Sequence, residues 1–240
     1  ISALIETAAK QGWHCVAVAE YADLGTIVEA ANAGTRTRMK VIGAAEIDDG
    51  RGRSIVAMTR DNEGLEQLHQ LMSLRRLEGT EESAASQSDS LNDFDLIEAL
   101  SSGYRSLWIL VRSPRLAREL LDRLDPGARH RIFLEIHRLR DSIARQRRGR
   151  EAADQLGLEI VASTRVGMLQ PTLDRHLNLL ESVRCVSTIE RIARDRHDNT
   201  DPDISPILTP VPSPGRWRQL YRDLPDALGN AARIGKDAIR

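Results

Sequence analysis

The chain has 240 residues, with 34 Lys and Arg against 35 Asp and Glu and a formal net charge of -1. That length can bury a full core as one large α/β domain, or as one domain with an appendage. The charge balance argues against a surface built throughout to coat nucleic acid, and 3% aromatic residues are too few for an obvious base-stacking platform. No apolar run approaches the ~20 residues that a membrane span needs, and no signal-peptide pattern is visible. Cys15 and Cys185 lie far apart in apolar segments, with no CxxC and no zinc spacing. Two buried free thiols in a reducing cytoplasm are expected. The chain starts at Ile1, already in a helical pattern and without Met, so a piece of a longer protein is expected.

In chain order, "ISALIETAAKQG" spaces its apolar residues as a helix and stops at Gly12. "WHCVAVA" reads as a strand, "LGTIVEAANAG" as a helix, and "MKVIGAAEI" and "RSIVAMTRD" as strands. The Asp61-Asn62 pair caps the helix "EGLEQLHQLMSLRRL". Residues 78–93 are polar and Ser-rich, which predicts a mobile surface loop. The alternation resumes with the helix "FDLIEALSSG" and the strand "RSLWILVRS". Ser113-Pro114 opens the helix "RLARELLDRL". Then come the strand "HRIFLEIHRL", the helix "SIARQRRGREAADQLG", the strand "LEIVASTRVGML" and a long helix opened by Pro171. An Asp/Pro-rich stretch leads to two short helical runs, "GRWRQLYRDL" and "PDALGNAARIGKDAI". About six strands alternating with helices predict a parallel sheet or a (β/α) barrel, the barrel being preferred. There is no GxGxxG and no Walker loop.

In either architecture the polar groups at the carboxyl ends of the strands are the candidates for chemistry. They are Glu20 and Tyr21, Glu46, the Thr59-Arg60-Asp61 run, Glu135 and His137, and Thr164-Arg165. A multi-metal hydrolytic site needs several imidazoles and carboxylates converging on its cations. Of the six histidines, His69 and His176 fall within helices, His197 lies in a loop, His130 sits among arginines, and His14 starts its strand. Only His137 stands beside plausible partners, so one imidazole and two or three carboxylates could hold one weak ion at most.

Five segments, in order, resemble the PHP (polymerase and histidinol phosphatase) domain of bacterial C-family DNA polymerases, the replicative α subunit and its error-prone relatives. They are "LIETAAKQGWHCVAVAEYADLGTIVEAANA", "KVIGAAEI", "IVAMTRDNEGLEQLHQLMSLRRLEG", "LGLEIVASTRVGML" and "RQLYRDLPDALGNAARIGKDA", which are spread from Leu4 to Ala238. The resemblance implies a distorted (β/α)7-type barrel over residues 1–193, with its first strand expected to be missing from the chain. Residues 194–240 would be a linker and helical connection toward a polymerase body.

The departures from the family pattern predict a degenerate metal site. Where family members place Asp and His ligands, this chain has Glu20, Tyr21 and Ala22, then Arg76, Arg165 and Gly167. Glu46 and His137 stay at ligand-type positions, with Glu135 near them. A guanidinium keeps its proton and offers no lone pair to a metal. Arg165 is expected to replace the cation by pairing with Glu46, Glu20 or Glu135. The arginine run from Arg129 to Arg150 offers Arg138, Arg140, Arg145, Arg147 and Arg148 as phosphate or partner contacts, or else as a solvated helix face.

The function this implies is a non-catalytic PHP domain that braces a DNA polymerase and meets replication or repair proteins. It would touch DNA only through the parent protein, need no cofactor of its own, and leave Mg²⁺ to the polymerase body. The alternative is a metal-dependent PHP phosphoesterase holding Zn²⁺ or Mn²⁺ in a reduced site. A third reading is a stand-alone binding protein descended from such a barrel. All three place the chain in the cytoplasm, away from membranes.

Overall fold

A computed structural model describes residues 1–21, 24–50, 52–77, 94–101, 103–138, 143–164, 166–168 and 209–238. The loop expected at 78–93 and the long helix opened by Pro171 lie outside the described residues, as do Arg140, Arg165, His176, Cys185 and His197. Six strands, β1 (Cys15–Tyr21), β2 (Lys40–Asp48), β3 (Ser54–Thr59), β4 (Leu107–Val111), β5 (Ile132–Ile136) and β6 (Glu159–Ala162), stand side by side in sequence order. Together they form a curled sheet, a half barrel. The expected seven-stranded closure goes beyond what the described residues form. The single strand expected over 158–169 is broken at Ser163. Its second half, β7 (Val166–Met168), pairs in parallel with β8 (Thr209–Pro210) in a separate small sheet.

One strand runs the wrong way for a purely parallel sheet. β3 is antiparallel to both β2 and β4, whereas β1–β2, β4–β5 and β5–β6 are parallel. A parallel crossover needs about a dozen residues. Only Asp49–Arg53 separate β2 from β3, and that turn can close only a hairpin. Thr59 therefore lies opposite Leu107, the first residue of β4. The Thr59-Arg60-Asp61 run, expected at the carboxyl ends with the other candidates, sits at the opposite end of the sheet.

Strand alternation gives the sheet two apolar faces. Ala45, Ile47, Ile55, Ala57, Ile109, Val111, Leu134 and Ile136 pack with Leu68, Leu71, Leu116 and Leu120 from α3 (Asn62–Leu77) and α5 (Pro114–Arg123). On the other face Ile42, Ala44, Met58, Trp108, Leu110, Phe133 and Val161 form a second cluster. A third joins Val18 to α1 (Ser2–Lys10) and α2 (Ile27–Thr37) through Ile5, Ala8, Ala30 and Ala33.

The helix starts follow from capping chemistry. Asp61 Oδ1 accepts the Gly64 N–H at 2.8 Å at the head of α3. Ser113 Oγ accepts the Leu116 N–H at 3.3 Å at the head of α5, with Pro114 in its first turn. Helix α4 (Leu96–Ser101) precedes β4, and α6 (Ile143–Leu156) ends at Gly157, whose φ of +62° suits a residue without a Cβ.

The carboxy-terminal helices belong to this same core. Helix α7 (Pro214–Leu220) brings Trp217 into an edge contact with Trp13, their ring centroids 6.0 Å apart, and Trp13 Nε1 donates to the Pro212 carbonyl at 2.7 Å. Helix α8 (Pro225–Asp237) runs beside the edge strand β6. Its Ala227 joins one apolar cluster and its Ile234 the other, while Asn230 Nδ2 donates to the Ile160 carbonyl at 2.8 Å. A covered edge strand has no row of open carbonyls to recruit another chain.

Candidate functional site

The carboxyl ends of the parallel strands gather some of the expected residues and separate others. Glu46 continues the face of Ala44, and Glu135 that of Phe133. One residue beyond β4, Arg112 follows Leu110, and one beyond β5, His137 follows Glu135. Glu135 and His137 are buried, and Glu46 and Arg112 half-buried. Tyr21 pairs in register with Glu46. By this alternation Glu46, Glu135 and His137 share one face of the sheet, and Arg112 follows the same face at the end of β4.

Glu20 does not join them. It precedes Tyr21 by one residue and so belongs to the other face of β1. There its Oε2 accepts the backbone N–H of Thr26, the N-cap of α2, at 2.9 Å. A carboxylate at that place satisfies one of the donors a helix start leaves open and complements the helix dipole. Its role is architectural.

Arg76, expected at a ligand-type position, is exposed in the last turn of α3. Its neighbour Arg75 is the one that turns to the sheet. Arg75 Nε donates to the Asp48 carbonyl at 2.7 Å, and its guanidinium lies 5.5 Å from the Phe94 ring centroid. Gly167 lies in β7, outside the six-stranded sheet. Beside these, Arg53 pairs with the fully buried Asp49 and reaches Asp95 at 3.2 Å and Glu119 at 3.7 Å. Burial alone would lower the Arg53 pKa, but the hydrogen bonds to Asp49 and Asp95 hold it above its ordinary value. The spacing in "DDGRGR" marks the turn that places this pair, a signal readable in the sequence.

Within the basic run, Arg138 is committed internally. Its guanidinium binds Gln146 and Asp223 and lies 5.9 Å from the Tyr221 ring centroid. Arg147 pairs with Glu151 at 2.8 Å one helical turn away. Arg148 is exposed on α6, and Arg145 half-buried. Of this set, Arg148 best matches the solvated surface contact that was expected.

The donor set does not fit the multi-metal centre that the resemblance would bring. Among the described residues this face offers two carboxylates and one imidazole, accompanied by a guanidinium that cannot ligate. No three His, Cys, Asp or Glu side chains among the described residues come together as a metal-binding group. Arg165, expected to stand in for the cation, lies outside the described residues. No helix among the described residues is long and apolar enough to cross a membrane.

No protein-family model matches the chain, and no curated protein matches it. Among solved structures, a protein from Bifidobacterium adolescentis proposed to be a metal-dependent phosphoesterase is similar with a TM-score of 0.48 and 14% identity, covering 68% of this chain and 80% of that one. An amidohydrolase from Chromobacterium violaceum, with bound sulfate and no metal, gives a TM-score of 0.42 and 14% identity, covering 67% of this chain and 80% of its own. At such scores and identities the likeness assigns neither a family nor the role of any residue.

Proposed function

We propose that the chain is a PHP-type domain without a working hydrolytic centre, which braces a bacterial C-family DNA polymerase. The observation that carries this reading is the composition of the strand-end face, where strand alternation places Glu46, Glu135 and His137 together with Arg112, while Glu20 lies on the opposite side and accepts the Thr26 N–H at the start of α2. A phosphoesterase of this class needs several imidazoles and carboxylates around its cations. A guanidinium on the same face as two carboxylates can offset their charge without a metal. The five resembling sequence segments supply the polymerase context. A barrel can lose its ligands and keep its core, because the apolar faces and the strand-end groups are different residues.

In this reading the chain contributes no catalytic step. Its strands and the α7–α8 cover share one packed core, and its remaining surface meets the rest of the polymerase and replication or repair proteins. Primer extension by the natural full-length product tests it. Glu135→Gln and His137→Asn should leave extension with Mg²⁺ and deoxynucleoside triphosphates within about twofold. A natural product that extends no primer would refute the polymerase context.

The placement of Glu46, Glu135 and His137 on one face of the sheet by strand alternation favours a second reading, a phosphoesterase with one Zn²⁺ or Mn²⁺ in a reduced site. In that case the same two substitutions would abolish a metal-dependent hydrolysis.

A further inference from the structure

The end of the sheet opposite the candidate site holds a cavity of about 310 Å³ that the proposed function does not use. It exists because β3 runs backwards. Arg60, just after β3, meets Arg105, just before β4, and Arg131, just before β5. The short helix Pro126–Arg131 closes the rim with His130 and Asp125.

Arg131 and Arg60 are held by groups other than a carboxylate, whereas Arg105 is exposed. Arg131 is buried and donates to the carbonyls of Tyr104 and Leu107. Arg60 lies over the Trp108 ring, 5.6 Å from its centroid, and its backbone N–H donates to the Ser106 carbonyl at 3.0 Å. The Ser106 N–H in turn donates to Gln67 Oε1 at 2.8 Å, which anchors this wall to α3. Asp125, the one acidic group of the cavity, accepts the Gly127 N–H at 2.9 Å. None of the ion pairs among the described residues involves Arg60, Arg105 or Arg131. Elsewhere the arrangement differs: Arg53, Arg138, Arg147 and Arg233 each face a carboxylate. Burial, and after it the charges of Arg60 and Arg105, hold the Arg131 guanidinium below its ordinary range, with Asp125 opposing them.

Two held guanidiniums, Arg131 and Arg60, with the exposed Arg105 beside them and one carboxylate at the rim, make an anion site. Planar guanidinium forks match phosphate oxygens, and a wall that is already ordered loses little entropy on binding. We propose that this cavity binds the phosphate group of a small phosphorylated ligand, at the end of the sheet remote from Glu46, Glu135 and His137.

Titration calorimetry at low ionic strength, with inorganic phosphate and with a nucleoside monophosphate as separate probes, tests the site. The intact chain should bind phosphate saturably, more tightly than about 10 mM. Arg105→Gln and Arg60→Gln should each weaken binding at least tenfold while melting within a few degrees of the parent. Arg36→Gln, on α2, should leave binding unchanged. A nucleoside monophosphate binding tenfold tighter than inorganic phosphate would show that the site also reads the group carrying the phosphate, whereas equal affinities would show recognition of phosphate alone. No saturable binding by the parent chain would overturn the proposal, and so would equal binding by the parent, Arg60→Gln and Arg105→Gln.

Discussion

The hydroxyl of Tyr221 lies 2.7 Å from the carbonyl oxygen of Ile136, a residue 85 positions earlier in the chain. The same hydroxyl is 2.8 Å from the Ser163 carbonyl and accepts the Arg138 N–H at 3.1 Å. Its single proton serves one of the two carbonyls at a time. One phenol thus ties the carboxyl ends of β5 and β6 to the carboxy-terminal helices.

Removing that hydroxyl should cost stability without opening a cavity. Tyr221 is fully buried, so Tyr221→Phe should destabilise the chain by about 1–3 kcal/mol in denaturant unfolding. Burial pushes the phenol up to about 12. The unfolded chain ionises this group near pH 10, before the folded chain does. Stability is therefore fully present below about pH 10 and falls as pH rises toward 12, by about 2–3 kcal/mol. Tyr221→Phe should flatten that alkaline limb, and a limb unchanged by the substitution would assign it to other groups.

Glu20 offers a test that separates a helix cap from a metal ligand. Glu20→Ala should lower stability by about 1 kcal/mol, since the Thr26 N–H loses its acceptor. Glu20→Gln keeps an oxygen for that donor and should recover most of the loss. Added Mn²⁺ should not shift the melting of either variant relative to the parent. A metal-dependent shift lost in Glu20→Gln would return this carboxylate to a ligand role.

Gly64 marks the closest approach of α3 to the sheet. A Cβ there would lie 2.2 Å from the Ser106 carbonyl oxygen and 3.3 Å from Thr59 Cα, both backbone atoms. Gly64→Ala should therefore destabilise by about 2 kcal/mol, although alanine is the better helix former by about 1 kcal/mol. Measured unfolding free energies of the two proteins check this.

Much of the fold was legible because periodicity and caps act locally. The Asp61 and Ser113 caps, the Pro114 start and the Gly157 stop stand where the sequence places them. The direction of β3 was missed, although "DDGRGR" is too short for a crossover, and with it the place of Arg60. The candidate site was half legible. Strand alternation places Glu46, Glu135 and His137 on one face, but Glu20 reads like its neighbour Tyr21 until the alternation of β1 is known. Arg112 and Tyr221 carry no local motif. Their roles depend on strand register and on a packing contact across distant chain segments, which no window of sequence contains.

In the proposed function the Glu46, Glu135 and His137 face performs no hydrolysis. Hydrolysis of bis-p-nitrophenyl phosphate, measured with added Mn²⁺ or Zn²⁺ on the intact chain and on His137→Asn, tests it most directly. The account predicts no turnover above the metal-only background for either protein. Metal-dependent turnover by the intact chain that vanishes in a folded His137→Asn variant would contradict it.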